Sequence, residues 1–350
     1  MRLVEGGTIE TVEIANGPYR AQFLTLGAAL RRLEVPGRDG TPANVVLGYQ
    51  DLEEYRGHPR FYGAVAGRYA NRIGGAKFSL DGQEFHLPKN SGGENNLHSG
   101  PLGFDQVFWD VTAHDATSVT FATLSHAGTN GFPGTLHVEV RYALEVDGLA
   151  IGFTATTDAA TVINLTHHAY FNLAGEGSGE SILGQWLQIP AARFTPVDAG
   201  LIPTGVLQDV AGTPFDFRTP KPIGRDIGAG DEQLVRGHGY DHNFVLDADA
   251  GRIRRVATVY HPGSGRVLEV HSTEPGVQLY SGNHLAGGAP GTAGHVYAAR
   301  EGFCLEPQKF PDSPNKPNFP SARLNPGERY VHDMAFRFRT AKDEAEAFPA

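Results

Sequence analysis

The chain has 350 residues, a net charge of −10 and a sequence pI near 5.8. That balance disfavours nucleic acid and anionic membranes as partners, because both call for a basic face. Hydrophobic residues make up 40%, enough for a large core, and the single cysteine excludes an internal disulfide framework and suits a reducing compartment.

The opening MRLVEGGTIETVEIANG shows no basic region followed by an apolar run, and no apolar stretch reaches the length of a membrane span. The expectation is a soluble, cytoplasmic protein without a membrane partner. Glycine (45) and proline (23) are spread along the chain and long helical periodicity is scarce, which predicts many short strands joined by turns.

Taken in order, residues 11 to 36 give short alternating segments such as Tyr19 to Phe23, broken by Gly17 and Gly27. Asp51 to Arg56 fits one helical turn. Asp81-Gly82 suits a type I′ hairpin, because both central residues need positive φ; it pairs Phe78 with Phe85 and Leu80 with Gln83. From Leu136 to Val146, apolar residues alternate with polar ones, and they resume at Leu149, Ile151, Phe153 and Ala155. An Asp147-Gly148 turn would pair Val146 with Leu149, Leu144 with Ile151 and Tyr142 with Phe153, putting both apolar rows on one face. Val256 to Tyr260 and Val267 to His271 read as another hairpin. Val277 to Ser281, Gly302 to Glu306 and Tyr330 to Arg339 read as strands, and 341–350 as a loose tail. The simplest architecture is one all-β domain, residues 1–340, built as a large antiparallel β-sandwich with few short helices.

Several polar islands stand out. Gly67-Arg68-Tyr69-Ala70-Asn71-Arg72-Ile73-Gly74-Gly75 lacks the Gly-Lys-Ser/Thr ending of a phosphate loop. Its Asn71 and Arg72 can donate fixed hydrogen bonds to a polyol or simply form a salt-bridged turn. Leu97-His98-Ser99-Gly100, followed by Gly103-Phe104-Asp105 and Trp109, offers a loop histidine. In Asn164-Leu165-Thr166-His167-His168-Ala169-Tyr170-Phe171-Asn172-Leu173, strand period puts His168, Tyr170 and Asn172 on one face and Ala169, Phe171 and Leu173 on the other. Adjacent His167 and His168 point opposite ways, which argues against a two-histidine metal chelate. Gly239-Tyr240-Asp241-His242 admits an Asx turn or a hydroxyl-binding carboxylate. In Gly276-Val277-Gln278-Leu279-Tyr280, Gln278 and Tyr280 share a face. Finally, Phe303-Cys304-Leu305-Glu306-Pro307-Gln308-Lys309-Phe310-Pro311-Asp312-Ser313-Pro314-Asn315 sets a carboxylate before a proline, which favours extended backbone, so Glu306 is expected at a strand end. A carboxylate on a stiff segment is what a positioned general base needs.

These islands, in this order, resemble the aldose 1-epimerase (galactose mutarotase) family. The last is similar to that family's Glu-Thr-Gln-His-Tyr-Pro-Asp-Ser-Pro-Asn, with Pro307, Lys309 and Phe310 as departures; Ser99 and His167 depart where the family has Gly and Asn. The resemblance implies a mutarotase-like supersandwich and the interconversion of the α and β anomers of free aldohexoses such as glucose and galactose, with no cofactor and no metal. It implies Glu306 as base and His168 as acid, with Asn71, Arg72, His98, Tyr170, Asp241 and Gln278 binding the sugar. Monomer and homodimer both remain open, as does the preferred aldose. Three rivals are a glycosidase with paired carboxylates, a non-catalytic sugar-binding protein and a phosphosugar epimerase.

Overall fold

Alternation along one strand shows how the largest sheet is built. In Leu136–Glu145, Leu136, Val138, Val140, Tyr142 and Leu144 are buried, while His137, Glu139, Arg141 and Glu145 face solvent. The structure, a computed structural model, describes residues 2–3, 7–57, 60–246 and 251–349. Parts of the N-terminal stretch and the last residue of the expected tail lie outside them.

The strand Leu136–Glu145 pairs with Gly148–Thr157 as a long hairpin, but the register differs from the expected one. Tyr142 faces Ile151 and Leu144 faces Leu149, so the turn is Val146-Asp147. The shift is two residues, which keeps the strand side chains on their expected faces but moves Val146, expected opposite Leu149 on the apolar row, into the turn, where it is exposed. The cause lies in the next strand of the sheet. Gly148 has φ +149°, and a Cβ there would sit 2.0 Å from the Phe336 carbonyl oxygen. That glycine permits close approach of Tyr330–Thr340, which pairs with Gly148–Thr157 from its other side. At Asp81-Gly82 the expected hairpin and pairs are present, with both turn residues at positive φ.

Among the described residues, the largest sheet has nine antiparallel strands. The order of those at its centre is 118–125, 136–145, 148–157, 330–340, 266–272 and 254–260. A six-stranded sheet runs 170–171, 303–308, 276–280, 241–245, 193–194 and 208–209. The two close on one core, where Phe171 of the smaller sheet meets Phe336 of the larger at 4.8 Å between ring centres. Each such fully buried ring contributes roughly 1.5–3 kcal/mol by leaving water. This is the large antiparallel sandwich the sequence predicted.

Two local expectations need correction. The strand Phe303–Gln308 runs past Glu306, which therefore sits inside it rather than at its end. Pro307 is tolerated because the neighbouring strand Tyr170–Phe171 pairs no further than Cys304, so no ladder donor is lost on that side. The segment after 340 is packed rather than loose. It holds a helical turn at Glu344–Ala347, and Ala341 and Ala347 are buried with Tyr260 and Val267.

Candidate active site

The six-stranded sheet presents one polar face to a hollow of about 190 Å³. Cross-strand pairing sets the rows. Asp241, Tyr280, Cys304 and Tyr170 stand side by side, and Asn243, Gln278 and Glu306 form the next row. Residues two apart on a strand share a face, so both rows face the same way. Opposite this face, loops bring Asn71, Arg72, His98 and His168. Seven of the eight expected site residues line the hollow: Asn71, Arg72, His98, His168, Tyr170, Asp241 and Glu306.

The eighth, Gln278, sits one layer behind. It is buried, and its amide donates to Asp241 Oδ1 at 2.7 Å. Arg72 Nη1 lies 3.5 Å from the other Asp241 oxygen. Asp241 is thus held between an amide and a guanidinium. Asn172, read as part of the polar wall, instead donates to the carbonyls of Glu180 and Glu301 in the interior.

The loop carrying Arg72 is clamped from the C-terminal motif. Asp312 accepts from the Gly74 amide at 2.9 Å and its own amide donates to the Arg72 carbonyl at 2.8 Å. His98 and Ser99 both have positive φ (47° and 72°), a conformation that costs about 1–2 kcal/mol in non-glycine residues. The Ser99 hydroxyl offsets part of that by accepting from the Tyr69 amide at 2.8 Å, which a glycine there could not do. His167 points away from the hollow into the core, against the rings of Tyr142 and Phe336. Burial pushes its pKa down to about 3, so it is neutral.

His168 Nε2 is 3.8 Å from Glu306 Oε1. That is beyond hydrogen-bond length, so neither group is tied to the other. Both are almost fully buried. Burial raises the Glu306 pKa well above the usual carboxylate range; the nearby Asp241 charge adds to this and Arg72 opposes it. Burial also lowers His168 to about 4, with Asp241 pulling the other way. Both directions favour a neutral pair, with the proton on the carboxyl. His98 is pushed below the ordinary imidazole range by burial and by the neighbouring His168 and Arg72.

The surroundings of His98 fix its tautomer. The Asn71 amide donates to its Nδ1 at 3.1 Å. A backbone amide can only donate, so the neutral ring carries its hydrogen on Nε2. His98, His168 and Glu306 have ligand atoms within 4.8 Å of one another. A cation on His98 Nε2 would need that hydrogen moved to Nδ1, against the amide, which speaks against a metal there.

The sequence reading missed Phe61 and Tyr280 as parts of the lining. The Phe61 ring packs on His98 at 4.6 Å and on His168 at 5.5 Å between ring centres. Phe61 sits in a loop at φ +56° and gave no periodic signal. Tyr280 could have been found, since it shares the Gln278 strand face. A larger hollow of about 670 Å³ lies over the outer face of the nine-stranded sheet, but it brings together no comparable buried acid–base pair.

A buried carboxylate and imidazole facing one small polar hollow, on a supersandwich of antiparallel sheets, are placed to exchange protons with a small polar molecule. A model of the family described as "Aldose 1-epimerase" matches residues 10–337. The chain is 42% identical to the human galactose mutarotase over 336 residues, covering 96% of each. It is 40% identical to the Escherichia coli K12 aldose 1-epimerase over 315 residues, covering 89% of this chain and 90% of that one. Among solved structures it resembles an aldose epimerase homologue from C. elegans, with a TM-score of 0.87 and 30% identity over 95% of this chain and all of that one. The chain belongs to the aldose 1-epimerase family.

Proposed function

We propose that this protein interconverts the α and β anomers of free aldohexoses, glucose and galactose among them, by opening and reclosing the hemiacetal. The observation that carries the reading is the separation of Glu306 and His168. At 3.8 Å they face one small hollow without being bonded to each other, as two groups must that act on neighbouring atoms of one ring.

Once the Glu306 proton has passed to His168 Nε2, Glu306 takes the proton of the C1 hydroxyl while His168 gives its Nε2 proton to the ring oxygen. The bond between C1 and the ring oxygen breaks and an aldehyde forms. Rotation about C1–C2 exposes the other face of the carbonyl. On closure the new hydroxyl returns its proton to His168, and Glu306 protonates the aldehyde oxygen. The pair ends with the protons it began with. Opening converts a charged pair into a neutral one, the state that burial favours in the empty site. The open-chain intermediate therefore meets a pair in its relaxed protonation state.

His98, with Nε2–H facing the hollow, serves as a fixed donor to the ring oxygen or a hydroxyl. Arg72, Asn71 and Asp241 hold the remaining hydroxyls, and Gln278 holds Asp241. Because Asp241 is engaged by Arg72 and Gln278, it suits binding better than the second carboxylate of a glycosidase. No step calls for a cofactor. The hollow is complete within one chain, so a monomer and a homodimer would serve alike. No described helix is long and apolar enough to cross a membrane, and the single buried thiol fits the reducing cytoplasm.

The test is polarimetry. Catalytic amounts of protein are expected to speed the decay of optical rotation of fresh α-D-galactose and α-D-glucose above the spontaneous rate. Binding of sugar with no acceleration would leave a lectin-like role instead.

A further inference from the structure

The two imidazoles in the hollow differ in what stands behind them. Behind His98 Nδ1 is an amide that can only donate. Behind His168 Nδ1 is the Cys304 sulfur, at 3.6 Å. The amide behind His98 has no lone pair to offer, whereas a thiol can donate or accept weakly, so the sulfur behind His168 permits a hydrogen on Nδ1. Cys304 is fully buried and two residues before Glu306 on the same strand, so both side chains project from one face. His168 is therefore clasped at both nitrogens by that face, with Sγ at Nδ1 and the carboxylate 3.8 Å from Nε2. The Tyr170 ring and Phe61 ring pack against it, at 5.0 and 5.5 Å between centres. The other charged or titratable groups lining the same hollow are Asp241, Arg72, His98, Arg60, Tyr280 and His284.

The arrangement has a chemical consequence. A nitrogen that gives and takes a proton must pass through a form in which it carries none. For His168 Nε2 that form has its hydrogen on Nδ1, which then needs an acceptor. For His98 the amide forbids the same form. We propose that Cys304 is a positioning residue for the reaction, its sulfur accepting from Nδ1–H so that Nε2 of His168, and not that of His98, exchanges the proton. The inference rests on the role given to His168 above and goes further by naming what selects that nitrogen. It also assigns work to a cysteine for which no chemistry had been identified.

Two measurements test it. NMR of labelled histidine nitrogens in the wild-type protein reads each tautomer directly. Neutral His168 is expected with its hydrogen on Nδ1 and neutral His98 with its hydrogen on Nε2. In parallel, Cys304→Ala, which removes the acceptor, is expected to lower kcat by about five- to tenfold, the worth of one weak hydrogen bond. KM should stay within about twofold of wild type, since no sugar contact is lost. Cys304→Ser, whose oxygen can accept, is expected to recover most of the rate. Equal loss in both variants, unchanged kcat in Cys304→Ala, or a neutral His168 with its hydrogen on Nε2 would each overturn the proposal. An enzyme that mutarotates sugars with His168 in the latter tautomer would keep the proposed function and lose only this inference. If Cys304→Ala does not fold, the wild-type tautomer still decides.

Discussion

Glu306→Gln separates chemistry from packing, because it keeps the side-chain shape and removes the exchangeable carboxylate. Glu306 is 2% exposed, and the nearest cationic candidate, His168 Nε2, is 3.8 Å away. A positioned base is worth about 10²–10⁴-fold, so the variant is expected to lose at least about 10²-fold in kcat, roughly 2.7 kcal/mol of barrier. The same substitution makes a second, opposite forecast for stability. Burial holds the folded-state pKa of Glu306 well above its ordinary 4.5. The folded protein therefore binds a proton that the unfolded chain releases, and stability falls as pH rises from about 4.5 through the higher folded value. Glutamine does not titrate. The variant should melt at or above the wild-type temperature at pH 7, and any advantage should close below about pH 4.5. Polarimetry and thermal melting across pH measure the two effects. Near-wild-type turnover would remove Glu306 from the base role, and a lower melting temperature at pH 7 would refute the buried-carboxylate reasoning.

Further expectations concern the groups around it. His168→Gln should lose about 10²-fold or more in kcat, since His98, the other buried imidazole of the hollow, carries its hydrogen on Nε2; a loss confined to KM would assign His168 to binding alone. Asp241→Asn should lower kcat/KM by roughly 10- to 100-fold, mostly through KM, as a charged acceptor for hydroxyls is lost. The Asp241 charge raises the pKa of both Glu306 and His168, so the variant's acid limb in a pH–rate profile should move to lower pH. Gly148→Ala should destabilise the fold by more than about 1–3 kcal/mol in denaturant melts, because its Cβ would meet the Phe336 carbonyl at 2.0 Å. A neutral result would place the turn back at Asp147-Gly148.

The alternating segments were legible because burial on one face of a strand writes itself as period two. That is how the 136–157 hairpin and the 330–340 strand showed in the sequence, and how their buried faces were assigned, Val146 excepted. The register of the hairpin was not legible. Gly148 looked like turn chemistry, but it answers to a carbonyl from a strand nearly 190 residues away, and no local rule contains that contact. Most lining side chains of the hollow came from islands of polar residues interrupting apolar runs, which is why seven of them fell into place. Gln278 was assigned to the right face, and its depth behind Asp241 was not legible, since that depends on how 241–245 and 276–280 pair. Phe61 left no trace because a loop aromatic at positive φ follows no period. Cys304 was read only as the lone thiol and as part of the strand from Gly302 to Glu306, and its place behind His168 appears once Tyr170 pairs with it.

The central claim is that one carboxylate and one imidazole meet across the anomeric centre of a single sugar. A crystal structure of the Glu306→Gln variant with bound galactose tests it most directly. The expected complex has the C1 hydroxyl within about 2.6–3.2 Å of the residue-306 side chain and the ring oxygen at similar distance from His168 Nε2. A hexose seated in the hollow with C1 turned away from both would contradict it.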